Sequence, residues 1–241
     1  MDYKKIKLLS YTDLKCIAQE MEIPIRRSKE ALLVDVITGL KEYEKYKRNK
    51  VDKYTRQSQL GNPGKEGTTY LVSDRHGNEY AMKTFRRQKS SDTLRNEAEL
   101  QKLAAEGDAA PIVIDIDTVH KYIVMERMDR HLLDVMKKQK GILTTTQQRQ
   151  IINLYRKLDS SGVFHGDANP MNYMYRGRKL YMIDFGMAKP ITSSLVKKLG
   201  TETPNVHIMS LGMILKLKEM GCPPESYDYI SKHATLTPGL L

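Results

Sequence analysis

Asp167, Asn172 and Asp184 are side chains able to bind a metal or handle a proton, and they lie close together in HGDANPMNYMYRGRKLYMIDFG, His165 to Gly186. Between Asn172 and Asp184 the chain reads YMY, RGR and KLYMI, two apolar runs around a Gly-containing turn, as a tight β-hairpin requires. A hairpin returns the chain to its starting point, so Asn172 and Asp184, at its two ends, face one place together. Two hard oxygen ligands brought together suit Mg²⁺, which takes few protein ligands and completes its shell with phosphate and water oxygens. Asp167 is then the carboxylate beside the metal site, placed to accept or orient a hydroxyl proton.

Two upstream features fit the same chemistry. Gly61, Gly64 and Gly67 in LGNPGKEGTTY lie between two expected strands, where missing Cβ atoms let backbone amides approach phosphate oxygens. A glycine-rich hairpin is also a common plain turn. Lys83 sits in YAMKTF, inside an otherwise apolar strand, where a lone ammonium is costly and needs a partner or a ligand. In the following helix Glu97 is the natural ion-pair partner, with Glu99 as the alternative.

The elements that must position these residues can be traced along the chain. Tyr11 to Leu40 reads as helix, turn, helix: Leu14, Ile17, Ala18 and Met21 share one face, EIPIRRSKE breaks the run, and Leu32, Leu33, Val36, Ile37 and Leu40 resume it. The charged KEYEKYKRNKVDKYTRQ that follows is either an extension of the second helix or a linker. From Gln57 the pattern turns to β, with a hairpin around RHGN. A helix is expected over 91–105 with Leu94, Leu100 and Leu103 buried, then two strands in PIVIDID and KYIVMERM. HLLDVMKKQ and TTQQRQIINLYRKLDSSG read as helices; the second repeats Ile151, Tyr155 and Leu158 at helical spacing and has a capping box at Thr145 and Gln148.

The composition bounds the alternatives. The 241 residues can bury a real core, and a formal net charge of +11 favours something acidic as a partner, whether nucleotide phosphates, nucleic acid or an acidic protein. Cys16 and Cys222 lie far apart with no CxxC, against both a disulfide framework and structural zinc. No window has the length and apolarity of a membrane span, and MDYKKIKLL lacks the features of a signal peptide, so an intracellular, cytoplasmic protein without membrane contact is expected.

Taken in order, the glycine loop, AMK with Lys83, Glu97, HGDANPMN and DFG resemble the protein kinase superfamily from Leu60 to Lys189. The resemblance implies ATP and Mg²⁺ as cofactors. Lys83 and the glycine-loop amides would hold the phosphates, Lys83 would pair with Glu97, Asp167 would orient the attacking hydroxyl, and Asn172 and Asp184 would hold the metal. It also implies a hinge in VMERM, with backbone groups of Glu126 and Met128 meeting adenine and Met125 behind it. The chain departs from the family in four respects: the glycines run GxxGxxG, Gly166 replaces the Arg of HRD, Asn169 stands where a Lys is usual, and the chain after Gly186 is short, without an APE motif. That tail is expected to supply one helix, Asn205 to Met220, with short or irregular structure besides. Here it is similar to compact atypical kinases such as the RIO family, while LGNPGKEGTTYLV, AMKTF and HGDANPMNYMY look most like short serine/threonine kinases of large DNA viruses. On that resemblance a viral factory or the virion is an alternative location.

YTDLKCIAQEMEIPIRRSKEALLVDVI resembles a SAP-type DNA-binding motif, except that Glu22 stands where that family usually has Gly. Arg26, Arg27 and Lys29 suit phosphate contacts; the competing reading is a helical brace against the β-rich lobe. The expected architecture is α+β: a helical unit over 1–48, a linker over 49–57, and a two-lobed kinase-like domain over 58–241, β-rich to 127 and α-rich, but reduced, from 128. The expected function is an ATP- and Mg²⁺-dependent serine/threonine protein kinase. An ATPase or small-molecule kinase, and a nucleotide-binding scaffold on nucleic acid, are the alternatives.

Overall fold

The computed structural model describes residues 3–49, 53–64 and 66–234. Residues 50–52 of the charged stretch, and Lys65 of the glycine loop, lie outside them. The chain forms two compact units, Met1–Leu94 with Asp117–Tyr122, and Arg95–Ile116 with Ile123–Leu241.

The first unit opens with three helices, α1 (Tyr3–Lys7), α2 (Tyr11–Glu20) and α3 (Lys29–Asn49). Ser10 starts α2 through a capping box: its Oγ accepts the Asp13 N–H at 3.1 Å and the Asp13 carboxylate accepts the Ser10 N–H at 3.1 Å. Leu14, Ala18, Leu32, Val36 and Leu40 form the centre of a small apolar core, joined by Ile6 of α1. Ile17, Met21, Leu33 and Ile37 pack around it. Helix α2 ends with the Ile23 N–H on the Ala18 carbonyl at 2.8 Å and Glu22 in the left-handed region, φ 56°. Glu22 adopts that conformation without being glycine. The charged run through Asn49 extends α3 instead of forming a linker.

Strands β1 (Tyr54–Leu60), β2 (Gly67–Asp74) and β3 (Glu79–Phe85) make an antiparallel meander, with β1 starting ahead of Gln57. The expected turn after β2 is held by Asp74, whose Oδ1 accepts the N–H groups of His76 and Asn78 at 2.8 and 2.9 Å. The Phe85 N–H donates to the Lys121 carbonyl at 2.7 Å, which sets the tip of the next hairpin along β3. Helix α4 (Ser91–Glu106) precedes that hairpin, β4 (Val113–Asp117) and β5 (Tyr122–Glu126), and the strand order is β1-β2-β3-β5-β4. On α4 the buried stripe runs through Leu94, Glu97, Ala98, Gln101 and Ala104, with Leu100 also covered. Leu103 falls outside that stripe and is exposed, contrary to the expectation from apolar spacing.

In the second unit β6 (Arg130–His131) leads into α5 (Leu132–Lys138) and α6 (Thr145–Ser160). The capping box of α6 lies one residue ahead of the expected pair, on Thr144 and Gln147. Gln148 is buried instead, donating to the carbonyls of Leu143 and Glu225 at 2.9 and 2.7 Å and accepting the Tyr229 N–H at 2.8 Å. After β7 (Val163–Phe164) come β8 (Tyr173–Arg176), β9 (Lys179–Met182) and β10 (Lys189–Pro190); β6, β8 and β9 form one sheet, β7 and β10 another. Ile151, Tyr155 and Leu158 of α6 are fully buried in a core with Tyr173, Met182 and Phe185. The tail holds α7 (Ser193–Leu199), a wide helical turn over Asn205–Met209 running into α8 (Ser210–Glu219), and α9 (Asp228–Ser231). Helix α7 buries none of its residues fully; Leu195, Val196 and Leu199 are half-buried on one side.

Candidate active site

The acid-rich loop of the second unit is built on β7 and the β8–β9 hairpin. His165, fully buried, follows β7. Its Nε2 lies 3.1 Å from the Ile183 carbonyl and its Nδ1 3.4 Å from the Asp167 N–H. Burial pushes the imidazole below its ordinary pKa, so it stays neutral, with Nε2–H donating and Nδ1 accepting. The ring packs edge-on against Phe185, with 4.9 Å between centroids.

Gly166 has φ 79°, and a Cβ there would lie 3.0 Å from the Met187 carbonyl oxygen. The backbone therefore favours glycine where the family has Arg. The Asp167 carboxylate accepts two bonds: Oδ1 from the Asn169 N–H at 3.0 Å, and Oδ2 from Asn172 Nδ2 at 2.8 Å. Asn169, at the position of the usual Lys, serves the loop itself, its Oδ1 accepting the Met171 N–H at 3.0 Å as the turn Pro170–Asn172 begins. These bonds fix Asp167 and Asn172 as one unit.

Asn172 and Asp184 flank the hairpin as its sequence predicts. Tyr173 pairs with Met182, and the Ile183 N–H donates to the Asn172 carbonyl at 2.9 Å. Asp184 is held in the left-handed region, φ 66°. Carboxylate oxygens of Glu97 and Asp184 lie within 4.8 Å of one another. Glu97 is buried, whereas Glu99 is exposed and paired with Lys102 at 2.7 Å. With the Nδ2 of Asn172 committed to Asp167, its Oδ1 is the atom suited to a cation. Asn172 and Asp184 thus present the all-oxygen donor set that Mg²⁺ takes.

Sequence reasoning missed the device behind this loop. Asn205, fully buried, accepts the His165 N–H on Oδ1 at 3.0 Å, while its Nδ2 donates to the Val163 carbonyl and to Asp159 Oδ1, both at 2.7 Å. Asp159 also accepts the N–H groups of Asn205 and Val206 at 2.9 and 3.0 Å. Burial pushes its carboxyl above the ordinary range, against the pull of those bonds. Only a lone Asn at an expected helix start marked the place in the sequence.

Glu126 ends β5 with its N–H on the Ile112 carbonyl at 3.0 Å, and its carboxylate accepts the Ile112 N–H and pairs with Arg176. Met125 and Met128 are buried, and Gln101 Nε2 lies 3.5 Å from the Met125 sulfur.

In the first unit Gly61 has φ 70°, and the Gly64 N–H closes on the Gly67 carbonyl at 2.8 Å. Gly67 has a packing reason of its own: a Cβ there would sit 1.9 Å from the Thr84 carbonyl oxygen. Half-buried Lys83 lies on β3 opposite Thr69, its ammonium 4.9 Å from the Phe85 ring centroid. Of the basic residues offered for phosphate contact, Arg26 is paired with Asp35 at 2.7 Å, and Arg27 and Lys29 are exposed.

Asp108 ties the end of α4 to the rest of the second unit. Its carboxylate accepts Lys157 at 2.7 Å, Lys179 at 3.1 Å and the Tyr181 hydroxyl at 3.1 Å. The bond from Lys157 is the chief reason its pKa falls to about 2, with Lys179 and Tyr181 adding to it against the effect of burial. A depressed carboxyl contributes stability that is present above the unfolded value of 3.8 and lost as pH falls toward 2. Asp108→Asn is therefore expected to flatten the acid limb of a stability profile between roughly pH 4 and 2, and to cost less than about 1 kcal/mol at neutral pH because the site is partly exposed. Urea titrations across that range check it.

Together the elements and the loop define a kinase-like α+β protein. Residues 54–205, more than half of the chain, match the family described as the protein kinase domain, and the chain belongs to that family. Among its relatives is the probable serine/threonine-protein kinase BUD32 homolog of Archaeoglobus fulgidus, 31% identical over 119 residues, which cover 49% of this chain and 57% of that protein. A probable bifunctional tRNA threonylcarbamoyladenosine biosynthesis protein of Methanosarcina barkeri is 29% identical over 126 residues, covering 52% and 22%. Calcium-dependent protein kinase 27 of Oryza sativa subsp. japonica is 31% identical over 159 residues, covering 58% and 25%. The chain thus spans little more than half the length of the first of these and about a quarter of the others.

Proposed function

We propose that the chain is an ATP- and Mg²⁺-dependent phosphotransferase that passes the γ-phosphate to a Ser or Thr hydroxyl of a protein. The observation that carries this reading is the Asp167 carboxylate fixed by Asn169 and Asn172 at one end of a hairpin whose other end carries Asp184. Catalysis of this kind is mostly positioning and charge stabilisation. Asp167 aligns the acceptor hydroxyl and takes its proton. Lys83 and the amides of the Gly61–Gly67 loop bind phosphate oxygens, and Glu97 orients Lys83. The Glu126 carbonyl and the Met128 N–H meet the adenine edge. Asn172 and Asp184 are the residues that would hold Mg²⁺, which supplies neutralising charge on the phosphates when bound.

The name of the Methanosarcina relative, a tRNA threonylcarbamoyladenosine biosynthesis protein, supports a second reading, an ATPase serving tRNA modification. Asn169, where a Lys is usual in the family, favours it too. One assay separates the two: purified protein with γ-labelled ATP and Mg²⁺, with and without a generic basic acceptor protein, beside Asp184→Ala. Label on Ser or Thr that disappears in the variant is the expected result. Free phosphate without phosphoprotein selects the ATPase, and nucleotide binding without turnover overturns both.

A further inference from the structure

The N-terminal helices contact the kinase-like part of their own unit at the start of α4, through Glu22. Glu22 Oε1 accepts the Ser91 N–H at 2.5 Å and the Lys121 ammonium at 2.9 Å, and Lys121 also donates to the Ser91 hydroxyl at 2.9 Å. The Tyr43 ring of α3 lies 5.4 Å from the His120 ring, centroid to centroid, at the same hairpin tip. Ser91 is the first residue of α4, where backbone N–H groups have no partner within the helix and the dipole favours negative charge. Capping acids usually come from the residue just before a helix; this one comes from a position 69 residues away.

Helix α4 carries Glu97, and its far end is tied down by Asp108. At its first turn Ser90 Oγ accepts the Thr93 N–H at 3.0 Å and the Ser91 hydroxyl donates to the Thr118 carbonyl at 3.3 Å, while Glu22 supplies the acceptor for the Ser91 N–H. We infer that Glu22 is a positioning residue: it caps α4 from the N-terminal helical unit, holds the first turn in place, and through it sets Glu97. The inference rests on the kinase reading only for its kinetic consequence. It also gives the left-handed Glu22 a role that glycine could not fill, since the same backbone would then offer no carboxylate.

Amide hydrogen exchange of the full-length protein, compared for wild type, Glu22→Ala, Glu22→Gln and Lys121→Met, tests the cap directly. Exchange over 91–106 is expected to speed by about fivefold in Glu22→Ala, the usual consequence of losing a cap, with 11–40 unchanged. Glu22→Gln keeps an oxygen for the Ser91 N–H and Lys121→Met keeps the carboxylate, so each is expected to stay within about twofold of wild type. In phosphate transfer, Glu22→Ala should lower kcat by a similar factor, Glu22→Gln should restore it, and KM for the acceptor protein should hold. Unchanged exchange in Glu22→Ala, equal acceleration over 11–40 and 91–106, or Glu22→Gln as fast as Glu22→Ala would each overturn the inference. If wild type transfers no phosphate, the kinase reading fails by itself, and the exchange comparison still decides the role of Glu22.

Discussion

Asp167→Ala is expected to lower phosphate transfer by about a thousandfold or more while nucleotide affinity stays within about threefold of wild type. The asymmetry follows from where the carboxylate sits. Among the described residues the Asp167 carboxylate bonds within its own loop, to the Asn169 N–H and the Asn172 amide, and it belongs to neither the expected metal pair nor the phosphate loop. Its removal takes away the group that aligns the acceptor and receives the proton, but leaves Lys83, Asn172 and Asp184 as ligands for the nucleotide. Asp167→Asn is the stricter comparison, because it retains the shape and an oxygen for one of the two bonds while losing the charge. Single-turnover transfer with γ-labelled ATP, beside equilibrium nucleotide titration of the same samples, reads both quantities. Loss of binding in step with transfer would show that Asp167 holds the nucleotide complex together and would remove it from the role of base.

Local chemistry makes this site legible in the sequence. A hairpin signal between Asn172 and Asp184 has one folded outcome, and the buried periodicity of Ile151, Tyr155 and Leu158 fixes the face of α6. Short-range patterns fail where they are degenerate or absent. TTTQQ offers the capping spacing twice, and Gln148 is drawn into the interior by the Leu143 and Glu225 carbonyls, so the cap falls on Thr144 and Gln147. Leu103 is apolar but lies off the stripe that Ala98, Gln101 and Ala104 define, and small or polar residues carry little weight in a periodicity count. Glu22 and Asn205 act on partners 69 and 40 residues away, and neither distance leaves a trace in spacing.

Asn205→Ala is the second large effect, and its physics is burial. The side chain is fully enclosed and satisfies three groups at once: the His165 N–H, the Val163 carbonyl and the Asp159 carboxylate. Truncation leaves the first two without this partner and takes one bond from the third, a loss of about 3–5 kcal/mol. Because His165 leads directly into Asp167, transfer should fall along with stability. Asn205→Asp tests the chemistry more finely. It keeps an acceptor for His165 but sets a second carboxylate against Asp159, where Nδ2 now donates at 2.7 Å. Two carboxylates in that space cannot both ionise cheaply, so the pair is expected to retain a proton well above the usual carboxylate range. Asp159 already titrates high through burial, so both effects raise the folded pKa. A raised folded pKa means stability that is full below the unfolded value near pH 4 and lost as pH rises through the folded one. Asn205→Asp should therefore come nearest to wild-type stability at about pH 4 and fall well behind at pH 8, whereas Asn205→Ala should be weakened at both. Urea denaturation of the three proteins at the two pH values measures this, and an equal deficit of Asn205→Asp at both would mean that repulsion with Asp159 is not what excludes a carboxylate at position 205.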